Sequence, residues 1–273
     1  MIDLHMHSIF SDGTFTPTEL VERAKERNIK VMAITDHDNI DGLEEGSKVA
    51  TQLGITFING IEISANFKEK DVHILGYFLN LEDRKFLKWL EELQNKRYNR
   101  TLKILKKLEK LGINITFEEV KKVSFGNVVG RPHIAKVIIK KGFAETMDEV
   151  FDNYLGDGKG AYVPKVGIDV VEVVKKLKEN GAVVSLAHPH LISHPQDTII
   201  NIIDLLVENG LDGLELYYPN INIKMKNKLL KIAKKRKLII TGGSDFHGLN
   251  RPGIDIGSVD IPIEVYNKML NLL

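Results

Sequence analysis

The 273-residue sequence contains no cysteine, which removes disulfides and thiolate ligands at once. Any metal must then be held by imidazole and carboxylate groups, so the nine histidines and the acids spaced around them carry most of the information. No apolar run approaches the roughly 20 residues needed to cross a bilayer, and no basic segment leads into an apolar one near residue 1. The expectation is a cytoplasmic protein with no membrane partner. Net charge is almost absent too, with 38 Lys and Arg against 37 Asp and Glu. Yet residues 84–122 hold twelve Lys and Arg against five Asp and Glu, which makes a local anion-attracting patch. At 43% hydrophobic and 27% charged residues, the chain can bury one large core, or a core carrying an insertion.

Short β-branched runs alternate with amphipathic segments, which predicts βα units around a parallel sheet or barrel. "KVMAIT", "ITFINGIEI", "VHILGYF", "AVVSLA", "GLELYY" and "LIITGG" read as strands. "TPTELVERAKERN" reads as a helix with Thr16 as cap, Pro17 in the first turn and Glu19 completing a capping box. "DVVEVVKKLKENG", closed by Gly181, and "IKMKNKLLKIAKKRK" are further helices. From about Leu81 to Gly160 no convincing strand occurs, and Leu102, Leu105 and Leu108 or Leu111 recur at helical spacing. We read residues 81–160 as a helical insertion in a β/α body made of 1–80 and 161–273. No internal repeat is evident.

The chain opens "MIDLHMHSIFSDG". If residues 2–7 form a strand, its period of two places His5 and His7 on one face, about 7 Å apart at the backbone. Asp36 and His37 follow the next strand, Glu62 lies in or after "FINGIEI", and His73 sits in "DVHILGY". His188 follows "AVVSLA", and Asp245 and His247 follow "LIITGG". Strand C-terminal ends converge on one mouth in a β/α barrel, so these side chains form a candidate ligand set. They outnumber what one ion takes, and a sulfur-free set suits zinc, manganese or iron. His190 and His194, in "AHPHLISHP", read as exposed loop residues. His133 in "RPHIA", with Arg131, Arg97 and Arg100, reads as a candidate substrate contact, since guanidinium groups match phosphate geometry. A solvated face accounts for the arginines almost as well. Ser8 has no dedicated base and is given no covalent role.

"DLHMHSIFSDG", "ITDHDN", "GIEIS", "VHILGY", "AHP" and "GGSDFHG", in that order, resemble the PHP superfamily, named for polymerase and histidinol phosphatase. With "RPHIA" and "YVPK", the insertion resembles the branch of nucleoside 3',5'-bisphosphate phosphatases, some of which also act as 5'-to-3' exoribonucleases. The resemblance implies a distorted (β/α)7 barrel holding three divalent transition metals, Mn2+, Zn2+ or Fe2+. It implies His5, His7, Glu62 and Asp245 on one metal, Glu62, His73 and His188 on a second, and Asp12, His37 and His247 on a third. A metal-bridging hydroxide, held by way of Glu62 and Asp245, would attack a phosphate ester, with Arg100, Arg131 and His133 gripping a second phosphate. The implied partners are a phosphorylated nucleotide or short RNA. A phosphatase for another small ester such as histidinol phosphate, a metal-dependent amidohydrolase and a non-catalytic metal-stabilised module are the alternatives.

Overall fold

The structure, a computed structural model, describes residues 1–68, 70–124, 129–164, 168–192 and 196–273. Eight strands form one sheet: β1 Ile2–Asp3, β2 Val31–Ile34, β3 Thr56–Phe67, β4 Lys70–Tyr77, β5 Ile168–Asp169, β6 Val183–Leu186, β7 Gly213–Tyr217 and β8 Ile239–Gly242. The helices are α1 Pro17–Glu26, α2 Leu43–Leu53, α3 Arg84–Lys110, α4 Phe117–Ser124, α5 Arg131–Lys140, α6 Met147–Val150, α7 Val170–Glu179, α8 Gln196–Glu208, α9 Ile223–Lys235 and α10 Glu264–Leu270. Local chemistry sets several of their ends. Thr16 accepts from the Glu19 amide while the Glu19 carboxylate accepts from the Thr16 amide, and Pro17 opens α1. Gly181, at φ 87°, follows α7 in a conformation few side chains tolerate.

Strand order is β1-β2-β3-β4-β6-β7-β8, with β5 beside β3. The expectation of an all-parallel sheet is corrected at β4, which runs antiparallel to both β3 and β6. β3 and β4 are separated by only residues 68 and 69, too short for a crossover, so they pair as a hairpin over eight residue pairs. The sheet curls until its two ends meet. Leu4 donates to Gly242 O (3.3 Å), Asp245 to His5 O (2.8 Å) and His7 to Phe246 O (2.9 Å). Between β1 and β8 there is an isolated bridge, Met6 to Phe246, rather than a ladder, so the architecture is a curled mixed α/β sheet and not a closed ring of strand pairs. Gly243 permits the close approach, because a Cβ there would lie 2.3 Å from His5 Cβ.

One hydrophobic cluster joins the outer sheet face to the surrounding helices, with Met32, Ile34, Ile61, Ile63, Leu177 and Ile202 among its buried members. Another fills the inside, from Ile2, Leu4, Val31 and Ala33 to Val265 and Met269 of α10. The segment between β4 and β5 builds a cluster of its own from Ile104, Leu108, Val120, Ile134, Ile138 and Leu155. α3 serves both bodies. Its first half sends Phe86, Trp89, Leu90 and Leu93 into the main core, and its second half sends Ile104, Leu105 and Leu108 into the helical one. Leu102 and Leu111, expected on the buried stripe, are 38% and 47% exposed. The stripe follows positions 101, 104, 105 and 108, the spacing of one helix face.

Candidate metal centre

The mouth collects the nine acids and histidines that the resemblance implies, whereas Asp36, also read as a candidate, is held by Ser8 and Ser11 instead. β1 is only two residues long, but hydrogen bonds to Phe246 and Asp245 keep the following segment extended, and His5 and His7 are fully buried. Their Nε2 atoms lie 3.1 Å apart. His5 Nε2 is 3.3 Å from both Glu62 Oε2 and Asp245 Oδ1, and His7 Nε2 is 3.2 and 3.4 Å from the same two oxygens. Donors around a tetrahedral cation with bonds of about 2.0–2.2 Å are separated by roughly 3.3–3.6 Å, so His5 Nε2, His7 Nε2 and Asp245 Oδ1 are spaced to hold one, with Glu62 Oε2 beside both imidazoles.

Glu62 lies at the centre. Its other oxygen, Oε1, is 3.1 Å from His73 Nδ1 and 3.0 Å from His188 Nε2. Because β4 is antiparallel, it delivers His73 near its beginning, level with side chains that parallel strands deliver at their ends. Asp12 Oδ1 is 3.3 Å from His247 Nε2. His37 lies between the last two groups, with Nδ1 3.1 Å from Glu62 Oε2 and Nε2 3.9 Å from Asp12 Oδ2. His7 also approaches Asp12, at 3.7 Å. Among the described residues, three sets of donor atoms are close enough to hold an ion: His5, His7 and Asp245; His37, Glu62 and His73; and His7, Asp12, His37 and His247. The grouping by resemblance therefore differs in three ways: His7 and His37 each serve two neighbouring sets, Glu62 groups with His37 and His73 and not with His5, His7 and Asp245, and His188 approaches Glu62 without joining a set.

The electrostatics are those of imidazoles and carboxylates competing for protons. Burial would raise the Glu62 carboxyl, but His37, His5 and His73 outweigh it and hold its pKa well below the usual range. Burial would lower His7, yet Asp245 and Glu62 lift it to about 10. His37 goes the other way, because burial together with His7 and His73 outweighs its acid neighbours. Not every imidazole here can carry a proton.

Several residues that orient this set are absent from the sequence reading. Glu215, buried on β7, lies 2.8 Å from His5 Nδ1 and also accepts the His188 amide at 2.8 Å. His5 thereby donates Nδ1–H outward and turns the Nε2 lone pair inward. His7 Nδ1 faces Ser11 Oγ at 3.3 Å, and Ser11 donates to Asp36 at 2.5 Å. Asp36 also takes the Ser8 hydroxyl and amide, so both serines are structural. Asp245 presents Oδ1 to the imidazoles, while Oδ2 accepts from Tyr218 (2.6 Å) and Arg251 (2.5 Å). His188 and Asp245 adopt φ of 27° and 53°, a strain concentrated at the site. A lone acid in a strand signals only burial, so the pattern of the sequence could not reveal Glu215.

His190, expected as an exposed loop residue, is instead half-buried, its ring 4.7 Å from Tyr218. Its placement is corrected by the short helical turn Pro189–Leu191, which folds it back over the mouth. His194 lies outside the described residues. Arg97 pairs with Asp38, the residue after His37, and a small cavity lined by Arg97, His133, Ser11, Asp12 and His37 connects the insertion to the cluster. Arg100 donates from Nε to Val163 O (2.9 Å), while its buried Nη2 has no hydrogen-bond partner. Burial and the nearby Arg131 and Arg97 lower its pKa to about 10. Arg131 lies against Phe151 and Tyr162 and donates to Leu155 O. His133 is less free than a substrate ligand needs to be. Its Nδ1 accepts the Gly130 amide, the ring meets the Ser11 backbone, and burial lowers its pKa to about 4.

Known proteins resemble this chain in sequence and in fold. The PHP domain model matches residues 3–236. A 5'-3' exoribonuclease of Haemophilus influenzae is 32% identical over 269 residues, 97% of this chain and 98% of its own length. A 3',5'-nucleoside bisphosphate phosphatase of Chromobacterium violaceum is 30% identical over 263 residues, 96% and 92% of the two chains. Two solved structures superpose with a TM-score of 0.89 at 29% identity over 99% of this chain. One, from Chromobacterium violaceum, is described as an amidohydrolase with bound sulfate, with 96% of its chain covered. The other, from Bifidobacterium adolescentis, is described as a candidate metal-dependent phosphoesterase, with 95% covered. The chain belongs to the PHP domain family.

Proposed function

We propose that this metal-dependent phosphoesterase hydrolyses nucleoside 3',5'-bisphosphates and short 5'-phosphorylated RNA. The observation that carries the reading is Arg100, a half-buried guanidinium crowded by Arg97 and Arg131 and left with a buried, unpartnered Nη2, while Arg97 lines the cavity that reaches Asp12 and His37. Arg97 pairs with Asp38 and Arg131 approaches Asp157 (3.7 Å), which leaves Arg100 as the guanidinium of the three to take an anion, and a phosphate held there leaves a second phosphate to reach the cluster.

We assign His5, His7, Glu62 and Asp245 to one cation, Glu62, His73 and His188 to a second, and Asp12, His37 and His247 to a third, with His37 able to lean toward Glu62. Bound divalent ions of manganese, zinc or iron would supply charge neutralisation at phosphorus and a water acidic enough to attack near neutral pH. The chain's own side chains orient that chemistry. Glu62 offers one oxygen toward His5 and His7 and the other toward His73 and His188. Tyr218 and Arg251 bind Asp245 Oδ2 and so commit Oδ1 to the cluster. Arg100 and Arg131 grip the second phosphate, and the helical segment 81–160 acts as the recognition unit that carries them. His133 docks that segment against Ser11.

The amidohydrolase alternative needs a lysine or a further carboxylate between the metals. Among the described residues no lysine pairs with the cluster acids. A phosphate-release assay on matched nucleoside 3',5'-bisphosphate and 5'-monophosphate tests the proposal: the bisphosphate should react far more efficiently, losing its 3'-phosphate. Equal efficiencies would favour a smaller phosphomonoester.

A further inference from the structure

The helical segment covers only one side of the mouth. Arg97 pairs with Asp38 and Gln94 donates to Asp38 O, both in the loop after β2, and His133 meets Ser11 after β1. The loops after β6, β7 and β8 receive no hydrogen bond or ion pair from residues 84–160 among the described residues. That open rim has its own chemistry. Arg251 lies 5.2 Å from the Tyr218 ring, with Nη1 on Asp245 and a further hydrogen bond to the Tyr218 side chain. His190 stands against Tyr218, and its Nδ1 has no partner. The loops on either side each expose a leucine, Leu191 at 56% and Leu249 at 83%. Leu249 follows His247 by two residues, and its amide is fixed by Thr14 Oγ1 (2.9 Å).

We propose that this rim is a subsite for the nucleotide downstream of the scissile phosphate of a 5'-phosphorylated RNA: Arg251 faces its next phosphate, and Leu191 and Leu249 its base. The inference rests on the function proposed above and extends it. With the terminal 5'-phosphate at Arg100 and the first linkage at the cluster, the rest of the strand must leave by the uncovered side. In the hydrolysis, the water oxygen joins phosphorus, the bond from phosphorus to O3' breaks, and O3' takes up a proton. The first nucleotide departs as a 5'-monophosphate. The phosphate stays on the downstream strand, giving a new 5'-phosphorylated end already seated at the rim. A bisphosphate has no downstream nucleotide and leaves the rim unused.

The test is the Leu191→Ser/Leu249→Ser double variant, both positions being exposed, assayed on a nucleoside 3',5'-bisphosphate and a 5'-phosphorylated triribonucleotide. The expected result is a fall of about tenfold in kcat/KM for the trinucleotide with the bisphosphate rate unchanged, which also shows that the variant is folded. Equal effects on the two substrates, or none on either, would overturn the subsite. So would a wild-type protein that hydrolyses the bisphosphate but leaves the trinucleotide intact. Wild type inert toward both would overturn the parent function as well, and is thereby told apart from failure of the subsite alone.

Discussion

Glu215 Oε1 lies 2.8 Å from His5 Nδ1, with neither side chain exposed to solvent. The other oxygen of the same carboxylate holds the His188 amide at 2.8 Å. One acid therefore orients two candidate ligands on opposite sides of Glu62. Replacing it by glutamine keeps the shape but leaves a single acceptor oxygen. If that oxygen stays with the His188 amide, the new NH2 faces His5 Nδ1, which must become an acceptor and carry its proton on Nε2 instead. Glu215→Gln should then lose metal affinity by about 10- to 100-fold while the protein stays folded. Nitrogen-15 spectra of the histidines should show His5 switching tautomer. An unchanged His5 signal and full metal content would remove Glu215 from this role.

The gathering of the candidate ligands at one mouth was legible because the loops after successive strands repeat short acid and histidine patterns, and "GGSDFHG" carries the glycine that lets β8 approach His5. The alternation of strands and helices was legible for the same reason, periodicity. Direction was not. Nothing in "VHILGYF" says whether that strand runs parallel or antiparallel, and the decision comes from the brevity of the turn before it. Orienting residues were equally hidden, since Glu215, Tyr218 and Arg251 act through partners 210, 27 and 6 residues away. Helical spacing alone also could not choose between Leu102 and Ile104 for the buried stripe, because that depends on which face meets α4 and α5.

Metal binding should release protons. In the cation-free protein, burial pushes His7 down, but Asp245 and Glu62 outweigh it and place its pKa at about 10, so it is protonated at neutral pH. His5 is likewise raised. A ligand must be unprotonated, so each cation competes with protons and affinity rises with pH. Titrating Mn2+ into chelated protein in weakly buffered solution at pH 7 should acidify it, and the dissociation constant should increase as pH is lowered to 6. A pH-independent constant would show that the imidazoles are already neutral.

Arg100→Ala should separate binding from chemistry. A charge-assisted hydrogen bond is worth about 1.5–3 kcal/mol, or roughly ten- to hundredfold in binding. The Michaelis constant for a nucleoside 3',5'-bisphosphate should rise by that factor, while hydrolysis of a small artificial ester such as p-nitrophenyl phosphate barely changes. Equal losses on both substrates would place Arg100 in the support of the cluster instead. This substitution is a cleaner test than deleting the helical segment, because removing α3 would strip Phe86, Trp89 and Leu90 from the main core.

The most direct measurement is metal content by elemental analysis, paired with phosphate release from a nucleoside 3',5'-bisphosphate, on wild type and on His5→Ala and Asp245→Asn. The account predicts more than one transition metal per wild-type chain under metal-replete conditions. Activity should vanish on chelation and return with Mn2+, and both variants should lose most of the metal and the activity together. Less than one metal per chain, or phosphate release that survives complete chelation, would contradict it.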